Sequence, residues 1–63
     1  MWLTVFVPHN EEQVKRLLSV LRANNIITKV ISRKSDEIFY EVYVPQSELE
    51  ESQNLIFEEE LFN

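Results

Sequence analysis

The sequence predicts a single α+β domain in which a three-stranded sheet carries two helices on one face. The prediction depends on three observations. Residues 2–7, 26–33 and 38–44 are rich in β-branched and aromatic side chains, as strands are. Two other segments repeat apolar residues at helical spacing. A strand, a proline, a polar residue and a helix-capping residue follow one another twice, and the chain of 63 residues has the length of one domain.

Residues 2–7 form the predicted first strand, β1, which stops at Pro8 because proline cannot donate to a sheet ladder. Asn10 is suited to the N-cap of the first helix, α1, since its side-chain oxygen can accept a hydrogen bond from the first turn. Asn at residues 24–25 ends the helix, because asparagine tolerates the left-handed conformation of helix ends. The apolar stripe of α1 is Val14, Leu17, Leu18 and Leu21.

Residues 26–33 are the predicted second strand, β2, and residues 38–44 are the third, β3. The polar turn between them, residues 34–37, is so short that the two strands must form an antiparallel hairpin. After Pro45, Ser47 and Glu50 have the spacing of a capping box, and they predict a second helix, α2, over about residues 48–59. Its stripe is Leu49, Ser52 and Ile56, with Leu55 and Phe62 to one side.

The repeated pattern at residues 6–10 and 43–47 suggests that β1 and β3 each lead into a helix in the same way. We therefore expect β1 and β3 to be parallel neighbours, with β3 between β1 and β2. This is the split βαβ arrangement of a ferredoxin-like fold that lacks its last strand. Parallel strands would start both helices at one edge of the sheet, where helix N-termini can bind an anion. The carboxylates expected at that edge oppose a phosphate: Glu11, Glu12, Glu48 and Glu50.

The first strand, the Asn-capped leucine helix, the Glu-Val-Tyr-Val-Pro of residues 41–45 and the Ser-Glu-Leu-Glu-Glu-Ser of residues 47–52 resemble the small prokaryotic signal-transducing proteins. Those proteins are compared in fold with the nitrogen-regulatory PII proteins. The resemblance covers nearly the whole chain and implies a PII-like, ferredoxin-like domain with a role in signal transduction. It also makes small-molecule or nucleotide sensing an alternative function, although the chain lacks the long PII loop and any glycine-rich phosphate contact.

The composition argues against catalysis and against bound cofactors. The chain has no cysteine, no glycine and a single histidine, so thiolate or paired-histidine metal sites and glycine-rich phosphate loops are not available. His9 lies between a strand and a helix, and we expect it to be a solvent-exposed loop residue. The adjacent carboxylates at residues 11–12, 50–51 and 58–60 do not face each other on a helix. We expect no enzyme activity, no metal and no cofactor.

The charge is distributed unevenly along the chain. Residues 1–35 hold six bases and two acids, which gives +4, while residues 36–63 hold nine acids and no base, which gives −9; the sum is the formal net charge of −5. The bases are scattered and form no dense patch, so we expect no nucleic-acid partner. The longest apolar stretch, residues 1–7, is too short for a membrane helix. No cysteine is present, and we expect a cytoplasmic protein.

The side of the sheet away from the helices is the candidate functional surface. Alternation along each strand places the charged residues on this outer side, and with them several large apolar residues. A sheet with helices on one side should have a polar outer face, so an apolar one indicates an interaction site. The predicted interaction surface is Trp2, Phe6, Ile27, Lys29, Ile31, Arg33, Phe39, Glu41 and Tyr43.

The simplest use of this surface is homodimerisation, sheet against sheet. A two-fold axis could then pair the bases Lys29 and Arg33 with Glu41 of a second copy. An edge-to-edge dimer through β1 is the competing geometry. Three alternatives remain: aromatic stacking on single-stranded nucleic acid, an unknown protein partner, and coverage of the face by the tail around residues 61–62.

Overall fold

The computed structural model describes residues 1–58 and has the element order that the sequence predicts. The elements are β1 (Trp2–Phe6), α1 (Glu11–Ala23), β2 (Lys29–Lys34), β3 (Ile38–Pro45), a short 3₁₀ helix (Gln46–Glu48) and α2 (Leu49–Glu58). Any continuation of α2 past residue 58, including the predicted position of Phe62, lies outside the described residues.

The three strands form one sheet in the order β1-β3-β2, as predicted. The predicted parallel pairing of β1 and β3 is wrong, because β3 is antiparallel to both of its neighbours. The reason is the connection through α1, which returns the chain to the end where β1 began and makes β1 and β2 parallel to each other. The tight hairpin then reverses β3 against both.

Helix α1 is capped at both ends by asparagines. The Asn10 Oδ1 accepts a hydrogen bond of 2.8 Å from the N–H of Gln13, and the Gln13 side chain accepts one of 3.3 Å from the N–H of His9. At the other end Asn25 has a φ of 62°, in the left-handed region. The N–H of Ile26 reaches the carbonyl of Leu21 at 3.0 Å, which closes a Schellman motif.

The Schellman motif also changes the predicted start of β2. Ile26 and Leu21 are both buried in the same core cluster, so Ile26 belongs to the helix end rather than to a ladder. Strand β2 consequently begins at Lys29, three residues later than predicted. Ile27, assigned to the interaction surface from the sequence, precedes the strand and is 66% exposed.

An irregularity at Val5 reverses the predicted orientation of Phe6. Thr4 pairs with Tyr43, but Phe6 pairs with Val42, so the register between β1 and β3 shifts by one residue. Val42 is fully buried, and Val5 and Phe6 both pack against the core. Phe6 is therefore half-buried against the core on the inner side of the sheet, and its assignment to the outer surface is wrong.

Both helices pack on the same side of the sheet. The buried cluster is Leu17, Leu21, Ile26, Val42 and Val44. Leu49, Leu55 and Ile56 of α2 pack against it, as the predicted stripe requires. Ser52 is fully buried between them, and its hydroxyl donates a 2.7 Å hydrogen bond to the Glu48 carbonyl, one turn earlier. A hydroxyl satisfied in this way can be buried without a large penalty.

The start of α2 differs from the predicted capping box. Residues Gln46–Glu48 form a 3₁₀ turn, and the N-cap of that turn is Pro45, which has no side-chain cap. Ser47 lies inside this turn and is exposed. Its hydroxyl makes no hydrogen bond to Glu50 within the described residues, so the predicted capping box is wrong. The fixed φ of proline suits the start of a helical turn and replaces the side-chain cap.

The two capping positions make a matched pair for a stability test. We expect Asn10→Ala to lower the free energy of unfolding by about 0.5–2 kcal/mol, because it removes the acceptor for the Gln13 N–H. Ser47→Ala should change it by less than about 0.5 kcal/mol, as at other exposed sites. Urea melts of the two variants and the wild type measure both. Equal losses would mean that Ser47 caps α2 after all.

Candidate interaction surface

The side of the sheet opposite the helices is called here the outer face. Its members follow from the observed strand pairing, since residues directly opposite each other point to the same side. Pro8 continues beside β3 through a 2.9 Å hydrogen bond from the Tyr40 N–H to its carbonyl. After the shift at Val5, this register turns Val7 outward in place of Phe6. The outer face comprises Trp2, Thr4, Val7, Lys29, Ile31, Arg33, Phe39, Glu41 and Tyr43.

Most of the residues predicted from the sequence are brought together on this face. Trp2 is 43% exposed at one end of it, while Ile31, Phe39 and Tyr43 are half-buried by their neighbours. Val7 is an outer-face residue that the sequence did not indicate. Only the displaced register reveals it, because strict alternation along β1 assigns it to the core.

One carboxylate organises the polar part of the outer face. The Arg33 Nε donates a 2.7 Å hydrogen bond to Glu41 Oε1, and the Tyr43 hydroxyl donates a 3.0 Å hydrogen bond to the same oxygen. The Arg33 contact lowers the pKa of Glu41 below its ordinary value, and the Tyr43 bond adds to this effect. The same contact with Glu41 raises the pKa of Arg33. Glu41 is therefore ionised across the neutral range.

The depressed pKa of Glu41 predicts a specific acid sensitivity. The stabilisation exists above the ordinary pKa of 4.5 and is lost as the pH falls through the lower value of the folded state. We expect Glu41→Gln to be less stable than the wild type at about pH 7, and the difference to be smaller at about pH 3, below the ordinary pKa of 4.5. Urea midpoints at the two pH values measure this, with the exposed Glu50→Gln as the control. A difference that is undiminished in acid would contradict it.

A second cation of the outer face lies over an aromatic ring. The Lys29 Nζ is 5.9 Å from the centre of the Trp2 ring, within the range of a cation–π contact. The contact spans the sheet, because Lys29 is on β2 and Trp2 on β1, with β3 between the two strands. Both bases of the outer face therefore contact other groups of that face.

A shallow depression of about 470 Å³ adjoins the outer face at the hairpin turn. Its lining is Val7, His9, Ser35, Asp36, Glu37 and Phe39. The His9 Nδ1 lies 3.6 Å from Glu37 Oε1, and both side chains are largely exposed. The Ser35 hydroxyl accepts a 2.6 Å hydrogen bond from the Asp36 N–H. The serine and histidine are thus engaged separately, and the depression lacks the linked serine–histidine–carboxylate chain of a hydrolase.

The predicted shared edge for two helix N-termini does not exist. Helix α1 follows the end of β1, and α2 follows the end of β3. Since these strands are antiparallel, the two helices begin at opposite ends of the sheet. Glu11 and Glu12 lie in the first turn of one helix, Glu50 and Glu51 in that of the other. Each N-terminus is thus occupied by its own carboxylates.

Residues 1–58 contain neither a metal-binding cluster nor a membrane-spanning helix. Within this range no group of three or more histidine, cysteine, aspartate or glutamate side chains is arranged to hold a metal ion. Neither of the two described α-helices has the length and apolar character needed to cross a membrane.

No family model, no curated protein and no solved structure matches this chain.

Proposed function

We propose that the protein is a small non-enzymatic regulatory or protein-interaction module that works as a homodimer through its outer face. The observation that carries the proposal is an apolar sheet face whose charged groups are already paired with neighbours on the same face. A second copy of the chain is the occupant that fits this surface.

The apolar character of the outer face is unusual for its position. Helices cover only the other side of the sheet, so solvent-facing strand positions should be polar. Instead the central strand presents Phe39 and Tyr43, and the edge strands present Trp2 and Ile31. Aromatic residues are enriched where proteins associate, because they bury a large area with few rotatable bonds.

The charges of the outer face oppose self-association less than those of the rest of the chain. Lys29 and Arg33 against Glu41 give the face a formal charge of +1, whereas the whole chain carries −5. Arg33 is held by Glu41, and Lys29 lies over Trp2. Two copies that meet through this face therefore avoid the repulsion between their acidic surfaces. The in-chain Arg33–Glu41 pair makes pairing of these charges across a two-fold axis unnecessary.

The small core gives self-association a thermodynamic benefit. A domain of this length buries only about 60% of the surface that its unfolded chain exposes, so its stability is marginal. Apolar area buried between two copies contributes roughly 25 cal/mol per Å² in addition to the core. Dimerisation would stabilise the fold in a chain that has no disulfide.

A regulatory role is supported by the resemblance to the small prokaryotic signal-transducing proteins. It implies a further protein partner, and the absence of cysteine is compatible with the cytoplasm. The alternatives are less well supported. Nucleotide sensing would require the two helix N-termini to meet at one edge of the sheet and bind the phosphates there. The helix N-termini lie at opposite ends of the sheet instead. Binding of single-stranded nucleic acid favours a dense basic patch, whereas the outer face has only two bases and one carboxylate in a chain of net charge −5.

The Phe39→Lys substitution tests the dimer. It places a charge on the central strand of the outer face, while the free edge of β1 is left unchanged. We expect sedimentation equilibrium to give a dimer for the wild type and a folded monomer for the variant. The matched control is Phe57→Lys, because Phe57 is 84% exposed on α2, in the helix layer on the other side of the sheet. Phe57→Lys should remain dimeric.

Three outcomes would contradict the proposal. A wild type that is monomeric at high micromolar concentration would end it. A Phe39→Lys variant that stays dimeric would place the interface at the β1 edge. Should Phe39→Lys not fold, Thr4→Lys at the exposed rim of the same face is the substitute, and it should weaken the dimer. An unchanged dimer constant in Thr4→Lys would also contradict the proposal.

A further inference from the structure

We propose that the free edge of β2 is a second binding site, which takes an extended peptide strand with acidic residues two positions either side of an apolar one. This site uses the edge of the sheet rather than its face, and the side chains of Lys29, Ile31 and Arg33 border both. It rests on the free backbone groups of β2, on its uncovered inner side and on its charge.

The backbone of β2 alternates between bonded and free residues. In an antiparallel strand the N–H and C=O of one residue point to the same edge. Tyr40 donates to Pro8, on the β1 side of β3, so Phe39, Glu41 and Tyr43 point toward β2. Their partners on β2 are Arg33, Ile31 and Lys29. The backbone groups of Val30 and Ser32 therefore point away from the sheet, and no further strand covers them within residues 1–58.

The two edges of the sheet are not equivalent. The β1 edge is interrupted at Val5 by the register shift, which disturbs strand pairing. Strand β2 keeps one register with β3 over six consecutive pairs, from Lys29 to Lys34. A regular edge of this length is a template for a further strand.

The helix layer also stops short of β2. On the inner side of the sheet Val42 and Val44 of β3 are fully buried, but Val30 of β2 is 36% exposed and Ser32 is exposed. Ile38, opposite Lys34, is half exposed as well. An added strand would cover the open side of Val30 and extend the sheet at the same time.

The charge of the edge selects the partner. Strand β2 carries Lys29, Arg33 and Lys34 and no acid. On the outer face an incoming strand meets Lys29, Ile31 and Arg33 in turn, so acidic, apolar and acidic residues complement it. Arg33 uses its Nε for Glu41, and the guanidinium retains other donors. Asp36 and Glu37 follow at the turn, which confines the acidic preference to the stretch between Lys29 and Arg33.

A second copy of β2 is a poor occupant of this edge. Two such strands side by side would bring six bases together with no carboxylate from either strand. Like charges on neighbouring strands are destabilising, and basic residues on an edge oppose self-pairing. The same residues attract an acidic strand.

Binding of a fluorescein-labelled peptide tests the site. The probe is Thr-Glu-Thr-Val-Thr-Glu-Thr, and its charge-reversed control is Thr-Lys-Thr-Val-Thr-Lys-Thr. Fluorescence anisotropy with the full chain should give at least about tenfold tighter binding for the acidic peptide, from two favourable pairs replaced by two repulsions. Amide shifts in the NMR spectrum should be largest at Val30 and Ser32.

Ser32→Pro removes the backbone donor that the site needs. The lost N–H points to solvent in the free protein, so the edge strand tolerates proline there. We expect binding of the acidic peptide to fall at least about tenfold, while Ser32→Thr, which keeps the N–H, binds as the wild type does. Should Ser32→Pro not fold, the wild type with a peptide N-methylated at its two central threonines serves instead, and the same loss is expected.

Four results would overturn the proposal. In the anisotropy assay they are equal binding of the acidic and basic peptides, and unchanged binding both by Ser32→Pro and of the N-methylated peptide. In the NMR spectrum it is amide shifts at Trp2 and Thr4 instead of β2. In sedimentation it is a change of mass in Ser32→Pro. The last would mean that a second copy occupies the edge. Because Ser32 pairs with Tyr40 on the inner side of the sheet, the Ser32→Pro result is independent of the Phe39→Lys test.

Discussion

Leu17→Ala should lower the free energy of unfolding by about 2–5 kcal/mol, the usual range for a buried leucine truncated to alanine. Leu17 has no exposed surface and lies in the core cluster with Leu21 and Val42. Truncation leaves a cavity in this cluster that the surrounding side chains fill only in part. A domain of this size has a total stability of roughly 3–9 kcal/mol, so the variant should be partly or wholly unfolded at room temperature.

Urea melts at one protein concentration measure this loss, since a dimer makes stability depend on concentration. The matched control is Leu18→Ala, next to Leu17 on the same helix but only partly buried at the margin of the cluster. We expect a smaller loss of stability there, because the Leu18 side chain buries less apolar area on folding than Leu17 does. Its truncation also leaves a space that is open to solvent. Equal losses would mean that the cluster is centred elsewhere on α1.

Ser52→Leu should destabilise the fold by about 1–3 kcal/mol even though it makes α2 more apolar. Ser52 is fully buried, and the helix stripe around it fits a small residue. A leucine side chain at this position has to displace Leu49, Ile56 or the helix itself. The effect is opposite to the one that a count of apolar residues on the stripe suggests.

The control for volume is Ser52→Ala, which removes the hydroxyl without adding atoms. The hydroxyl bonds to the Glu48 carbonyl of its own helix, so we expect the loss to stay near 1 kcal/mol or below. Thermal melts followed by circular dichroism compare the two variants. A Ser52→Leu variant as stable as the wild type would show that space for a larger side chain exists beside α2.

The features predictable from the sequence are those determined by local chemistry. The Asn10 cap depends on residues three positions apart, and the Asn25 helix end depends on a short run of chain. The hairpin follows from the short turn between two strands. The position of β3 between β1 and β2 also follows, because a crossover through α1 leaves a gap between the strands that it joins.

The features that sequence reasoning missed depend on contacts between distant segments. The shift at Val5 arises where β1 meets β3, and no residue of β1 by itself signals it. It exchanges Phe6 for Val7 on the outer face. The contact of His9 with Glu37 joins two loops that only the folded sheet brings together. Ser47 is an example of a local pattern that misleads. It has the capping-box spacing with Glu50, but Pro45 starts a 3₁₀ turn that contains Ser47, and its side chain caps no helix.

The sheet order has a consequence for how the chain folds as it is synthesised. Strand β1 precedes β3, its only partner in the described sheet, by more than thirty residues, while β2 and β3 are joined by a short turn. The hairpin can close within microseconds once both of its strands are available, whereas β1 must wait for β3. At elongation rates of about 5–20 residues per second, β1 stays unpaired for roughly two seconds or more. During that interval Trp2, Leu3 and Phe6 have no sheet to join, so the nascent chain exposes them to chaperones and to other chains.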